Sequence, residues 1–353
     1  MADYPSWDEF RNSEMVRQKN FPRLAEDMPT FLGVRHAHGA DELKGADIVI
    51  IGAPFAAGWG RDYAGVDKSE WLAAPKRVRQ QSIRYGGYLQ DFDIDLTEAL
   101  NVVDYGDAEI PPEASYVATV DNILRAQEAV VRKVSDSLAA GAIPVVIGQN
   151  SPCGSYAVAK PVAERAAGKV GVVSLDTHWD SQPLDSSTMD PRIAGHGSWK
   201  HKMYEWHENI SIPHLVEIGE RGMLEDKKIV RRFLKEGATF VPMWRVRREL
   251  GIEGLCELLG KAYEGTSDVY AHFDMDVLGG AGPTNGDILG ELAEPIGMTD
   301  YEAIRIAHEV GLRGLSALSF ICIPPGSPVI YRTIVYVICY MMAGVALRKG
   351  KKA

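Results

Sequence analysis

A chain of 353 residues with 46% hydrophobic side chains is long enough to bury a large core, as one large domain or two smaller ones. Its 38 basic and 48 acidic side chains give a net charge of −10, which argues against a nucleic-acid partner, since phosphate backbones are bound by clustered Lys and Arg. The four cysteines, Cys153, Cys256, Cys322 and Cys339, form no CxxC pair and no disulfide framework, so they read as reduced and mostly buried thiols.

From the N-terminus, residues 1–45 are rich in charge, Pro and aromatics (Trp7, Phe10, Phe21, Phe31) and contain no convincing strand. They read as an arm that packs on the domain or on a neighbouring subunit. The first twenty residues lack the uninterrupted apolar stretch of a signal peptide, so the expected location is cytoplasmic. Residues 46–353 read as one domain, because no low-complexity linker, repeat or compositional break divides them.

Within that domain, short branched apolar runs alternate with stretches of helical periodicity, the pattern of a mainly parallel sheet covered by helices. Candidate strands are Asp47 to Ile51, Asn101 to Asp104, Ile143 to Ile147, Val170 to Leu175, Leu215 to Ile218, Thr239 to Pro242, Val269 to Phe273 and Leu315 to Ile321. Between the second and third, Ile123, Gln127, Val130, Val134 and Leu138 step by three or four residues, and Gly141 stands where the helix should stop. Ile334 to Leu347 is apolar over about 14 residues, short of the roughly 18 needed to span a bilayer, and reads as a core helix followed by a basic tail. No membrane association is expected.

Two strand ends carry the chemistry. Asp176-Thr177-His178-Trp179-Asp180 follows one strand, and His272-Phe273-Asp274-Met275-Asp276 ends another. Alternate residues of an extended segment point the same way, so Asp176, His178 and Asp180 share one face, and Asp274 and Asp276 another. If the strands are neighbours, these five groups converge. Carboxylates gathered in this way raise one another's pKa unless a cation neutralises them, and carboxylates with an imidazole suit a divalent transition metal. A lone DxD is most often an ordinary pair of solvated aspartates; DxHxD followed about ninety residues later by FDxD is far more specific.

With these motifs in place, the chain resembles the ureohydrolases, the arginase and agmatinase family, over nearly the whole domain. Ile51-Gly52-Ala53-Pro54-Phe55 resembles the first family strand and loop, and Asp104-Tyr105-Gly106-Asp107 the family's DxGD element. The resemblance implies a three-layer α/β/α fold with its site at the carboxyl ends of a mainly parallel sheet. It also implies hydrolysis of guanidino C–N bonds with two metal ions, nickel or manganese. In that scheme Asp176 and Asp274 bridge both ions, Asp180 serves one, His178 and Asp276 serve the other, and His196 in Gly195-His196-Gly197 is a proton shuttle.

Departures from the family pattern are specific. The segment corresponding to GGDHS is Gly148-Gln149-Asn150-Ser151-Pro152, so the expected ligand histidine falls on Ser151 and the aspartate before it on Asn150. The glutamate that grips substrate guanidinium falls on Ile321, unless Glu291 or Glu294 supplies that carboxylate instead. One metal site is therefore intact and the other short of its imidazole, which implies one ion or incomplete occupancy. The favoured reading is a degenerate accessory subunit, a pseudoenzyme supporting a homologous catalytic subunit in a trimer or hexamer. In its lost residues it is similar to the non-catalytic subunits of nickel-dependent metformin hydrolases, which act on a biguanide. The alternatives are a self-sufficient agmatinase-like hydrolase with an altered substrate and a metal-stabilised structural protein. His201, His207 and His214 match no ligand spacing, and Gly58, Gly60 and Gly65 form a loop at the site's mouth rather than a phosphate cradle.

Overall fold

The computed structural model describes residues 21–57, 68–184, 188–221, 225–279, 295–326 and 328–351. Trp7, Phe10, Gly58, Gly60, Gly65, Glu291 and Glu294 lie outside the described residues. Nine strands form one sheet: β1 (Arg35–His36), β2 (Ile48–Gly52), β3 (Val102–Asp107), β4 (Ile143–Ile147), β5 (Val170–Leu175), β6 (Ile210–Ile218), β7 (Thr239–Val241), β8 (Asp268–Asp274) and β9 (Ala317–Ile321). Their order across the sheet is β7-β6-β5-β8-β9-β4-β2-β3-β1, and every neighbouring pair is parallel.

Branched apolar runs make these strands because both sheet faces are covered. Ile48 and Ile50 of β2 enter one core with Val145, Val173, Ala271 and Phe320, while Val49 and Ile51 enter the other with Val103, Val146, Val172 and Tyr270. The period of two thus splits each strand between two helical layers. On the first face lie α1 (Ala74–Ser82), α6 (Gly251–Leu258), α7 (Asp300–Arg313) and α8 (Pro328–Arg348). On the second lie α2 (Val120–Ala139), α3 (Ala157–Arg165), α4 (Trp199–Trp206) and α5 (Lys227–Lys235). The expected three-layer α/β/α arrangement is observed.

All eight expected strands form. So does the helix at α2, which Gly141 follows with φ +80°. The 21-residue α8 is longer than its apolar run suggests and would by length and composition cross a bilayer, but 72% of its apolar window is buried inside the fold. It lies close against α7: a Cβ on Gly344 would stand 2.3 Å from the His308 carbonyl oxygen, and one on Gly311 2.2 Å from that of Met341. Gly344→Ala is accordingly expected to destabilise the protein by about 1–3 kcal/mol through overpacking, read as a fall in the urea midpoint.

The segment preceding Ala46 contains a strand after all. β1 pairs with β3 through Arg35 and His36, and Phe31 is fully buried in the first core. Its backbone N–H donates to Asp104 Oδ2 at 2.8 Å. Asp104 also takes two hydrogen bonds from Arg79, at 2.8 and 3.0 Å, while Arg79 reaches Asp107 at 2.5 Å. Arg79 and Asp104 are fully buried, so the DxGD element fastens α1 and the segment around Phe31 to β3.

Candidate metal centre

The carboxyl ends of β5 and β8 lie side by side, since Phe273 pairs with Leu175, and they bring the two acidic motifs together. Among the described residues, three sets of donor atoms lie within 4.8 Å of one another: Asp176, His178 and Asp276; Asp176, His272 and Asp274; and Asp274, Asp276 and Cys322. Four of the five expected ligands, Asp176, His178, Asp274 and Asp276, are thus gathered. Asp180 borders the cluster, its charge acting on Asp176 and Asp274, but joins none of these sets. Its backbone turns to φ +44°, so the extended alternation fails there, and its carboxylate accepts the Trp199 indole N–H at 3.0 Å.

Hydrogen bonds fix the two loops against each other. The Thr177 N–H donates to Asp276 Oδ1 at 3.0 Å, and its hydroxyl to the Asp276 carbonyl at 2.8 Å. Arg221, at the end of β6, donates to Thr177 Oγ1 at 2.6 Å and to the Asp276 carbonyl at 2.9 Å. This clamp is invisible in the sequence because it depends on strand order.

A buried lysine enters the cluster from α4. Lys200 is fully buried, and its ammonium donates to Asp176 Oδ2 at 3.0 Å, Glu217 Oε1 at 2.9 Å and the His178 carbonyl at 3.2 Å. Glu217 Oε1 also accepts from Ser174 Oγ at 2.9 Å. Burial disfavours the ammonium, but Asp176 and Glu217 prevail and hold it protonated. Burial pushes Glu217 up to about 7 against the pull of Lys200. It likewise drives Asp176 and Asp274 well above the usual carboxylate range, with neighbouring carboxylates adding to the shift. For His178, burial opposes the charged ring, yet the Asp276 carboxylate 3.0 Å away overcomes it and raises the imidazole to about 11. His272 moves the other way, held neutral by burial and by Lys200.

The missing family groups leave a visible mark. Ser151 and Asn150 are fully buried, and neither Ser151 Oγ nor the Asn150 amide has a hydrogen-bond partner. Gln149 instead clamps the exit of β9, accepting from the Ile323 N–H at 2.7 Å and donating to its carbonyl at 2.6 Å. Ile321 is fully buried and pairs directly with Asp274, so an apolar side chain occupies the position expected to hold a glutamate. Cys322 follows with φ +49°, its sulfur beside Asp274 and Asp276. His196 lies in the turn before α4, its Nδ1 buried without a partner, and joins none of the donor sets. His201, His207 and His214 have local neighbours in Glu205, Tyr156 and Ser211.

Carboxylates and neutral imidazole in a buried cluster are the donors a divalent transition ion takes. This set fits one ion. It lacks one imidazole of a dinuclear centre, since Ser151 stands where that ligand is expected, and the Lys200 ammonium competes for Asp176 Oδ2.

A parallel sheet between two helical layers, with an acidic, imidazole-bearing cluster at its carboxyl ends, places a candidate metal centre where open α/β sheets generally bind ligands. Residues 46–325 match the sequence profile of the arginase family, and the chain belongs to that family. The formimidoylglutamase of Halobacterium salinarum is 25% identical over 278 residues, covering 77% of this chain and 78% of the relative. The proclavaminate amidino hydrolase of Streptomyces clavuligerus superimposes with a TM-score of 0.72 at 22% identity, covering 91% of this chain and 98% of that one. Formimidoylglutamase from Bacillus subtilis gives 0.73 at 18% identity, covering 92% and 94%, and a Trypanosoma cruzi formiminoglutamase with Mn2+ gives 0.68 at 23%, covering 91% and 99%.

Proposed function

We propose that this chain is the accessory subunit of a cytoplasmic arginase-family C–N hydrolase whose hydrolytic centre sits in a homologous subunit of a trimer or hexamer. The substrate class is a linear amidine, guanidino or biguanide compound, as in the metformin hydrolases, and the metal nickel or manganese. The names of the relatives, amidino hydrolase and formimidoylglutamase, support that substrate class.

The observation that carries the reading is Lys200. Its ammonium binds Asp176, a carboxylate that the family resemblance assigns to bridging both ions, in a chain that also has Ser151 and Ile321 in place of an imidazole and a substrate carboxylate. Two ions together lower the pKa of a bound water and polarise the scissile group, and a chain with room for one loses much of that effect. Without an anionic anchor at Ile321, a guanidinium is also poorly oriented, and misplacement alone costs orders of magnitude in rate.

Native mass spectrometry of the complex isolated from its host through a tag on this chain tests the proposal. The expected spectrum shows a second chain of similar mass and at most one ion on this subunit. A homo-oligomer carrying two ions per chain overturns it. A second reading, a self-sufficient hydrolase with an altered substrate, is favoured by His272, which brings an imidazole to Asp176 and Asp274 from an unexpected direction. Turnover of an amidine by the purified chain alone would decide for it.

A further inference from the structure

His272 sits two residues before Asp274 on β8, so both side chains project from one face of the strand. Its ring is fully buried and packs edge-on against Trp199, with centroids 4.6 Å apart. Nδ1 lies 3.1 Å from Ser319 Oγ on β9, and that hydroxyl is 2.6 Å from the Tyr270 hydroxyl. These contacts fix the ring's orientation. They also occupy one nitrogen, as the outer partner of a metal-bound imidazole does.

The other nitrogen, Nε2, is buried and has no hydrogen-bond partner. A bare buried acceptor costs about 1–3 kcal/mol, a cost that a bound ion removes. A ring nitrogen of His272 and carboxylate oxygens of Asp176 and Asp274 lie within 4.8 Å of one another. Donors held about 2.0–2.2 Å from one ion stand roughly 3–4 Å apart, so side-chain adjustments of about an ångström complete the site. Lys200 holds Oδ2 of Asp176 and the His178 N–H donates to Oδ1 at 2.7 Å, and each carboxylate oxygen keeps a further lone pair for an ion.

We propose that His272 supplies the imidazole missing at Ser151 and, with Asp176 and Asp274, forms a site for a single divalent transition ion. The ligand comes from within the central strand β8 rather than from the loop after β4. One imidazole and two carboxylates select a first-row ion such as Co2+, Ni2+ or Zn2+ over Mg2+ or Ca2+. This site is independent of whether the chain hydrolyses anything, so its failure would leave the accessory-subunit reading standing, and the reverse also holds.

The test is a titration of the full-length chain, stripped with chelator, with Co2+ and Ni2+, followed by visible absorption and calorimetry. One ion per chain is expected. His272→Ala and the more conservative His272→Gln should each weaken binding by at least about tenfold, as losing a metal-bound histidine or its support does. Their far-ultraviolet circular dichroism in metal-free buffer should remain that of the parent. His201→Ala, which removes an imidazole that faces Glu205 outside the cluster, should leave the affinity unchanged. The X-ray absorption fine structure of the Co2+-loaded His178→Ala chain should still show one imidazole. The proposal is overturned if the parent binds no ion, if the His272 variants bind as tightly as the parent, or if removing His178 abolishes the imidazole signal.

Discussion

Replacing Lys200 by methionine is expected to lower unfolding stability by about 3–5 kcal/mol, the usual cost of leaving a buried ion pair with one partner. Lys200, Asp176 and Glu217 are all fully buried, and the ammonium makes hydrogen bonds of 2.9–3.2 Å to three oxygens. Methionine fills a similar volume, so the loss reads the charge rather than a cavity. The double variant Lys200→Met with Glu217→Gln should recover part of the deficit, because it removes one of the stranded carboxylates. A urea series on the parent, both single variants and the double variant gives the coupling, expected at about 1–3 kcal/mol. A single-variant loss below about 1 kcal/mol would show that the ammonium is not paired as described.

Arg79→Met should cost a similar amount, about 3–5 kcal/mol, for a related reason at the opposite side of the sheet. Arg79 binds Asp104 through two nitrogens and Asp107 through a third, and both Arg79 and Asp104 are sealed from solvent. Asp104 additionally receives the N–H groups of Phe31 and Gly106. Loss of the guanidinium therefore strands a carboxylate that organises three backbone segments. Amide hydrogen exchange should report the damage locally, with residues around Phe31 and the β1–β3 pairing exchanging faster than the centre of the sheet. Uniform acceleration across all strands, with no preference for that edge, would contradict the role assigned to Asp104.

The strands were legible because each inner strand is apolar on both faces, so a run such as Ile48–Gly52 stands out without help from its neighbours. β1 carried no such signal. Two residues, Arg35 and His36, form an edge strand whose existence depends on β3 being beside it. The start of α8 was hidden by Pro328, which fits the first position of a helix, and by Arg332, which interrupts the apolar run.

At the site, Asp176, His178, Asp274 and Asp276 come together as expected, but not by extended alternation: β5 ends at Leu175, the chain bends at Thr177 and His178, and Asp276 sits in a 3-10 turn over Met275–Val277, while Asp180 has turned to φ +44°. His272 was present in the same motif and on the same face as Asp274; counting the strand two residues backwards would have found it. Lys200 and Glu217 had no comparable signal. A lysine in a helix ordinarily reads as solvent-facing, and only the packing of α4 over β5 and β6 buries it.

The order of strands also dictates how the molecule can be made. β1, β2, β3 and β4 associate with one another, as do β5, β6 and β7, but the two groups meet only through β8 and β9. A chain still growing from the ribosome thus carries two half-sheets, each ending in an open apolar edge, β4 on one and β5 on the other, until residues beyond Asp268 emerge. Such edges are templates for mispairing, and contacts this distant in sequence form slowly. Closing the gap is the same event that brings Asp274 and Asp276 against Asp176, so the donor cluster cannot assemble before β8 has paired with β5.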